Sequence, residues 1–262
     1  MMSKLARYGR EGRRIDLFPL FDSHSHVGQW SIFDAYDLKD HVAEMDRLGV
    51  RTSVISSVVA VAGEIRRGND VVAAAIRAYP GRFLGYVHVS AKFPGTMMAE
   101  LKRCFAIPGF TGIKVYQIGI PYDAPVYDPV WRFAAKQGAP VLAHTWGGSL
   151  TGMDKVAKAH PGVNFMVAHS GSDWAYDAYI AAARRAKNLY LDLTYSRDHT
   201  GLIEHFVKEI GASRLVWGSD EPLFSMSQQV GKTLFARIPD TDKKKILWDN
   251  GARIFGVNRS VK

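Results

Sequence analysis

The sequence predicts an α/β protein of the (β/α)8 TIM-barrel class, folded as a single domain. Three observations carry this reading. Short apolar runs alternate with segments of helical periodicity, eight times over about 240 residues. The runs are apolar at successive positions, as strands covered on both faces must be. No run is followed by a Gly-x-Gly-x-x-Gly turn or by a Gly-rich loop ending in Lys-Ser/Thr, so an open nucleotide-binding sheet built from the same units lacks its usual motif. Size agrees, because 262 residues of 47% hydrophobic content suit one large core better than two small ones.

The elements follow in order. Residues 1–14 are polar and basic, with Lys4, Arg7, Arg10, Arg13 and Arg14, and read as an arm ahead of a barrel spanning 15–262. Ile15 to Asp22 reads as the first strand. After a loop over 31–37, Asp37 or a neighbour caps a helix that Gly49 stops, with Leu38, Val42, Met45 and Leu48 at helical spacing. Arg51 to Ala60 is the second strand, carried by Val54, Ile55, Val58 and Val59. Asn69 to Tyr79 is a helix closed by Pro80-Gly81. Arg82 to Val89, Phe110 to Tyr116, Ala139 to His144, Val163 to His169, Asn188 to Leu193 and Arg214 to Trp217 are strands three to eight. Between them lie helices over Thr96–Cys104, Pro129–Lys136, Leu150–Ala159, Trp174–Ala186 and Gly201–Ile210, several stopped by Gly or Pro-Gly. Ser227–Arg237 and Thr241–Phe255 close the fold.

Composition narrows the function classes. A single cysteine, Cys104, excludes an intrachain disulfide and a thiolate metal site. No apolar run approaches the roughly 20 residues of a membrane span. Asp16 and Pro19 break the only apolar stretch near the N-terminus that a secretion signal would need, so the cytoplasm is the expected compartment. The net charge of +9 comes from 34 basic and 25 acidic residues. The basic residues are scattered, in pairs such as Arg66-Arg67 and Arg184-Arg185 and the run Lys243-Lys244-Lys245, with no nucleic-acid-binding signature. Neither a nucleic acid nor a membrane is expected as partner. A positive field suits small anionic substrates, and apolar helix faces are compatible with a homo-oligomer.

In a closed barrel the strands' C-terminal ends converge on one mouth. Four of the nine histidines fall there. His24 and His26, one residue apart, follow Asp22 at the end of strand one and share a face. His144 ends strand five and His169 ends strand six, while Asp220 follows strand eight. Imidazole and carboxylate donors without thiol suit zinc, manganese, iron or cobalt. A polar cluster without an ion is the plainer alternative. His88, at the end of strand three, reads as a core-edge histidine bonded to nearby backbone. Asp22 either holds an imidazole or caps a loop. Lys114, at the end of strand four, is costly unless paired or modified, with Asp192 as one candidate partner. Tyr116, Gln117, Trp146, Tyr195 and Arg197 follow strands four, five and seven and are candidates for a pocket lining. Arg197 has the paired donors that grip a carboxylate. His41, His160, His199 and His205 read as surface or packing residues.

The ordered set Asp22-Ser-His24-Ser-His26, Gly112-Ile-Lys114-Val-Tyr116, Ala143-His144-Thr145, Ala168-His169-Ser170 and Gly218-Ser-Asp220-Glu-Pro222 resembles the amidohydrolase superfamily, in particular its amidohydrolase-2 group. That group contains TIM-barrel metal-dependent hydrolases and the related aminocarboxymuconate-semialdehyde decarboxylases. The segment Ile246 to Gly256 is similar to the group's terminal helix, with Asn250-Gly251-Ala252 where Asn-Ala is usual. The resemblance implies a divalent ion on His24, His26, His144 and Asp220, zinc first and manganese, iron or cobalt next. His169 would then stand beside an ion-bound water, or itself join the ligands. In two-ion members a strand-four lysine is carboxylated, which would be Lys114 here, and one ion is expected over two.

The resemblance implies an enzyme. The leading expectation is a metal-dependent hydrolase in which Asp220 or His169 takes a proton from water that attacks an ester, lactone or amide of a small, anionic substrate. Tyr116, Trp146 and Arg197 would bind that substrate. The alternatives are a decarboxylase of an unsaturated or aromatic carboxylic acid, with His169 as proton donor, an enzyme adding water to a double bond, and a catalytically silent, metal-stabilised binding protein.

Overall fold

A computed structural model describes residues 2–29, 37–116, 119–194 and 199–258. Its elements run α1 (Lys4–Arg10), β1 (Leu20–Val27), α2 (Leu38–Leu48), β2 (Val50–Ser57), α3 (Val58–Val61), α4 (Ile65–Ala78), β3 (Phe83–Val89), α5 (Pro94–Phe105) and β4 (Phe110–Val115). They continue as α6 (Asp128–Gln137), β5 (Val141–Ala143), α7 (Met153–Ala159), β6 (Phe165–Val167), α8 (Tyr176–Arg185), β7 (Leu189–Asp192), α9 (Leu202–Ile210), β8 (Leu215–Val216) and α10 (Met226–Phe235). The last three are α11 (Asp240–Lys244), a π-helical turn (Lys245–Asp249) and α12 (Asn250–Ile254). The eight strands lie side by side in chain order, each parallel to the next. The ring closes through backbone bonds between β1 and the chain around and after β8: Ser23 N–H to Trp217 O (3.2 Å), Asp220 N–H to His24 O (2.8 Å) and His26 N–H to Glu221 O (2.7 Å). This is the expected (β/α)8 barrel. No helix among the described residues is long and apolar enough to cross a membrane.

Helix signals in the sequence act as chemistry requires. Asp37 accepts a bond from Lys39 N–H and caps α2, and Gly49 ends it in the left-handed conformation at φ 89°. The strands are buried along almost their whole length, aliphatic and polar residues alike.

Four elements differ from expectation. The first strand is Leu20–Val27, so both histidines stand within it; its pairing with β2 starts only at Leu20, past Pro19. The second strand stops at Ser57, whose hydroxyl accepts from Val59 N–H, and Val58–Val61 turn into α3. The expected single closing helix has a π-helical turn at its centre. The basic lead-in contains α1, which buries Leu5, Ala6 and Tyr8. Ser3 caps it, Leu5 N–H donates to Asp240 Oδ2 at 3.1 Å, and the buried Lys243 donates to Ser3 Oγ at 2.9 Å and Leu234 O at 2.8 Å. Three apolar residues on one side of a seven-residue helix were too faint a pattern to read beside five cations.

Gly251 explains the unusual terminal spelling. A Cβ there would stand 2.4 Å from Phe21 Cδ1, and Phe21 is wedged between Trp248 and Phe255 with ring centroids 6.2 and 5.4 Å away. Beside it, the buried Asn250 donates from Nδ2 to Ala212 O (2.8 Å) and Leu215 O (2.7 Å), tying the last helix to the start of β8. Asn250→Ala strands two buried carbonyls, so urea unfolding should find the variant about 1–3 kcal/mol less stable. An unchanged midpoint and slope would show that the anchor contributes nothing.

Candidate active site

The mouth of the barrel is built on Asp22. This buried carboxylate accepts His24 N–H (3.1 Å) and Ser219 N–H (2.9 Å) on Oδ1, and the hydroxyls of Ser53 (2.9 Å) and Ser219 (2.6 Å) on Oδ2. One side chain thus joins β1, β2 and the segment after β8. Burial still pushes Asp22 up to about 7, against those four bonds. It is a clamp of the scaffold that carries the ligands.

His24, His169 and Asp220, all buried, bring donor atoms within 4.8 Å of one another. Two of them sit on strained backbone: His169 at φ 56° and Asp220 at φ 57° occupy the left-handed region, unusual for residues other than glycine. The turn after β6 and the turn after β8 thereby aim both side chains inward. His24 Nε2 lies 3.2 Å and His26 Nε2 3.0 Å from Asp220 Oδ1. That oxygen is nevertheless buried without a hydrogen bond.

The far side of each ring decides what the near side can do. His24 Nδ1–H donates to Asp192 Oδ2 at 2.7 Å, and Asp192 is itself held by Thr194 N–H (3.1 Å) and Thr194 Oγ1 (2.7 Å). His169 Nδ1–H donates to Thr194 O at 2.7 Å. A backbone carbonyl or carboxylate can only accept, so both rings carry a lone pair on Nε2. His26 has Ser56 Oγ 3.0 Å from Nδ1 and likewise turns Nε2 to the cluster. Burial pushes His24 and His169 below the usual imidazole range, helped at His24 by the Lys114 charge, so the rings are neutral, the form that ligates. Burial pushes Asp220 upward, but His24, His169 and His26 together outweigh it and hold the carboxyl well below the usual carboxylate range. Neutral imidazole nitrogens facing an ionised carboxylate, with one orphaned oxygen among them, fit a divalent cation.

Above the cluster is a cavity of about 240 Å³ lined by His26, Lys114, Tyr116, His144, Trp146, His169 and Asp220 and walled by Val58, Val61, Leu223 and Phe224. His144 is half-buried, stacked on Tyr116 with centroids 4.1 Å apart and standing 4.8 Å from the His169 ring. Burial, then His169, lowers it well below the usual imidazole range. Trp146 is 44% exposed at the rim, its ring 5.4 Å from that of His169. Lys114 is buried, pushed down to about 8 by that burial, with Nζ 3.0 Å from His24 Nε2.

Set against the sequence, the structure brings His24, His26, His169 and Asp220 together, with His144 beside them on the cavity wall. Tyr116 and Trp146 line the cavity as expected. Arg197, Tyr195 and Gln117 lie outside the described residues. Asp192 binds His24 and not Lys114, a correction that follows from its place one strand away from Asp220 on the inner face of β7. His88 is buried and pushed down to about 3 by that burial, but Asn69 bonds its backbone N–H (2.9 Å) and carbonyl (3.1 Å), leaving ring Nδ1 without a hydrogen bond. The cavity walls were missed. Val58 was hidden by reading the start of α3 as strand, Val61 lay just past that strand, and Leu223 and Phe224 carry no motif of their own.

The family model described as Amidohydrolase matches residues 21–257. Gamma-resorcylate decarboxylase of Polaromonas sp. (strain JS666 / ATCC BAA-500) is 23% identical over 290 residues, spanning 85% of this chain and 89% of that protein. The gamma-resorcylate decarboxylase of Rhizobium radiobacter is 25% identical over 279 residues, spanning 82% and 85%. Among solved structures, dihydroxybenzoic acid decarboxylase from Polaromonas sp. JS666, with bound manganese and the inhibitor 2-nitroresorcinol, superposes with a TM-score of 0.73 at 19% identity, covering 93% of this chain and 98% of that one. At that identity the structural match speaks for the fold. The matching relatives are decarboxylases, and this overturns the expectation of a hydrolase acting on an ester, lactone or amide.

The Asp192 carboxylate fixes the tautomer of His24. Asp192→Ala should therefore keep the fold and weaken divalent-ion binding by about 10- to 100-fold in a chelator-competition titration. Wild-type affinity in a folded variant would remove Asp192 from the site.

Proposed function

The chain belongs to the amidohydrolase family, and within it we propose a metal-dependent decarboxylase of a small aromatic hydroxy acid. The observation that carries this is the division of the cavity. Beside its ionisable groups, Val58, Val61, Trp146, Leu223 and Phe224 make much of its lining apolar among the described residues. Loss of carbon dioxide turns an anionic carboxylate into an uncharged gas, and a dry, apolar chamber favours that change. The names of the relatives point the same way.

His24, His26, His169 and Asp220 would hold one divalent ion, since their donor atoms already face one another. Such an ion supplies positive charge to orient the oxygens of the acid. Imidazole and carboxylate donors suit manganese as well as zinc, and manganese is what the solved relative carries. Tyr116 and Trp146 present ring faces on the cavity side of the cluster and would flank a planar ring. His144 is the remaining imidazole on the cavity wall. An anion entering beside it raises its affinity for a proton. In the reaction that proton bonds to the ring carbon bearing the carboxylate. The bond between that carbon and the carboxyl carbon then breaks, its electron pair stays with the ring, and carbon dioxide leaves.

The reading is tested by product. Manganese-loaded protein given 2,6-dihydroxybenzoate and other hydroxybenzoates should release one carbon dioxide per acid consumed, and chelation should stop it. No carbon dioxide from any of them, with water added to an ester or lactone, would sink the proposal. The two histidines separate by metal content. His169→Ala should lose the ion and activity together. His144→Ala should keep most of the ion and lose about 10²- to 10⁴-fold in rate; the opposite pattern would exchange their roles.

A further inference from the structure

Lys114 is the one basic side chain lining the cavity among the described residues that the reaction above does not use. Its amine is buried, it lines the cavity, and no carboxylate among the described residues lies within ion-pair distance of it. The two acids whose charges reach it are committed elsewhere: Asp192 to His24 and Thr194, and Asp220 to the imidazoles. Its one hydrogen bond among the described residues is to His24 Nε2, 3.0 Å away. A lysine amine has further donors than that bond can use.

That bond cannot survive in a loaded site. His24 gives its Nδ1–H to Asp192, so Nε2 has a single lone pair, and Lys114 and a cation would compete for it. Ligation strips Lys114 of its acceptor and leaves a buried amine facing the cavity. A buried donor group without a partner is costly, and a site is arranged this way when a ligand completes it. We propose that Lys114 is the anion-binding donor of this site, held on His24 Nε2 while the site is empty and transferred to an oxygen of the bound acid once that nitrogen ligates the ion. The amine thus makes anion binding depend on metal loading.

The inference rests on the metal-site reading above, not on which reaction follows, and binding alone tests it. The probe is 2-nitroresorcinol, which has no carboxylate to lose, titrated by calorimetry into manganese-loaded protein. Lys114→Met should bind manganese with one equivalent and with unchanged or tighter affinity, because a competitor for His24 is gone. The same variant should bind the probe about 10- to 100-fold more weakly than wild type. Lys114→Gln, which keeps an N–H donor, should fall between the two, and it decides the matter if the methionine variant does not fold. Folded variants that lose manganese would overturn the proposal, since the lysine would then serve the ion, as it would if carboxylated. Undiminished probe binding would overturn it too, the freed amine having turned to another acceptor such as His88, its neighbour in the β3–β4 register. Absence of decarboxylation would leave these titrations untouched and count against the proposed reaction alone.

Discussion

The site depends on a carboxylate that takes no part in the chemistry. Asp22 collects four donors from three separate stretches of chain, and in doing so it locks the seam where the barrel closes. The last strand is only two residues long, Leu215–Val216. Its ladder to β7 holds one edge, but the other edge must be held to β1 by something else. Asp22 and the backbone bonds through Ser23, His24 and His26 do that. Asp220 follows directly, so the clamp that closes the fold also sets the distance from the two β1 imidazoles to their carboxylate. Geometry at the mouth is therefore paid for by scaffold bonds, not by contacts among the ligands themselves.

A second layer of partners sets the charges. Asp192 and the Thr194 carbonyl each occupy an Nδ1–H, which leaves Nε2 of His24 and His169 as acceptors pointed inward. Burial disfavours the charged form of those rings and leaves their Nε2 atoms free to ligate. The left-handed turns at His169 and Asp220 store strain at the two places where the chain must reverse abruptly to aim a side chain at the axis. Each feature is unfavourable alone, and each is satisfied by the convergence of donor atoms on one point.

Much of this was legible before the structure. The barrel followed from eight repeats of one periodic unit, and the helix around Met45 was readable because Asp37 or a neighbour offers a start signal and Gly49 a stop. The cluster of His24, His169 and Asp220 was legible as candidate ligands because ionisable residues at the ends of apolar strands have few other uses, but the sequence ranked His144 ahead of His169. What stayed hidden depended on tertiary pairing. Asp192 alternates along a short strand and could face either way until the barrel closed. Ser57 ends β2 by a hydroxyl cap that no periodicity reveals, so Val58 looked like strand and not like cavity wall. The three apolar residues of α1 were matched by its three cations, Lys4, Arg7 and Arg10, with Arg13 and Arg14 just beyond.

That last class of error bears directly on the reaction. Imidazoles and a carboxylate around one point are the same equipment whether water attacks a carbonyl or a ring loses its carboxylate. A motif of ligands cannot separate the two, because the difference lies in what stands opposite them. Among the described residues the apolar lining is Val58 and Val61 from α3 with Leu223 and Phe224 from the turn after Asp220. None of the four side chains carries a hydrogen-bonding group. These walls are aliphatic and aromatic residues, where sequence reading looks for packing, and they became visible only when the fold put them in one cavity with the histidines.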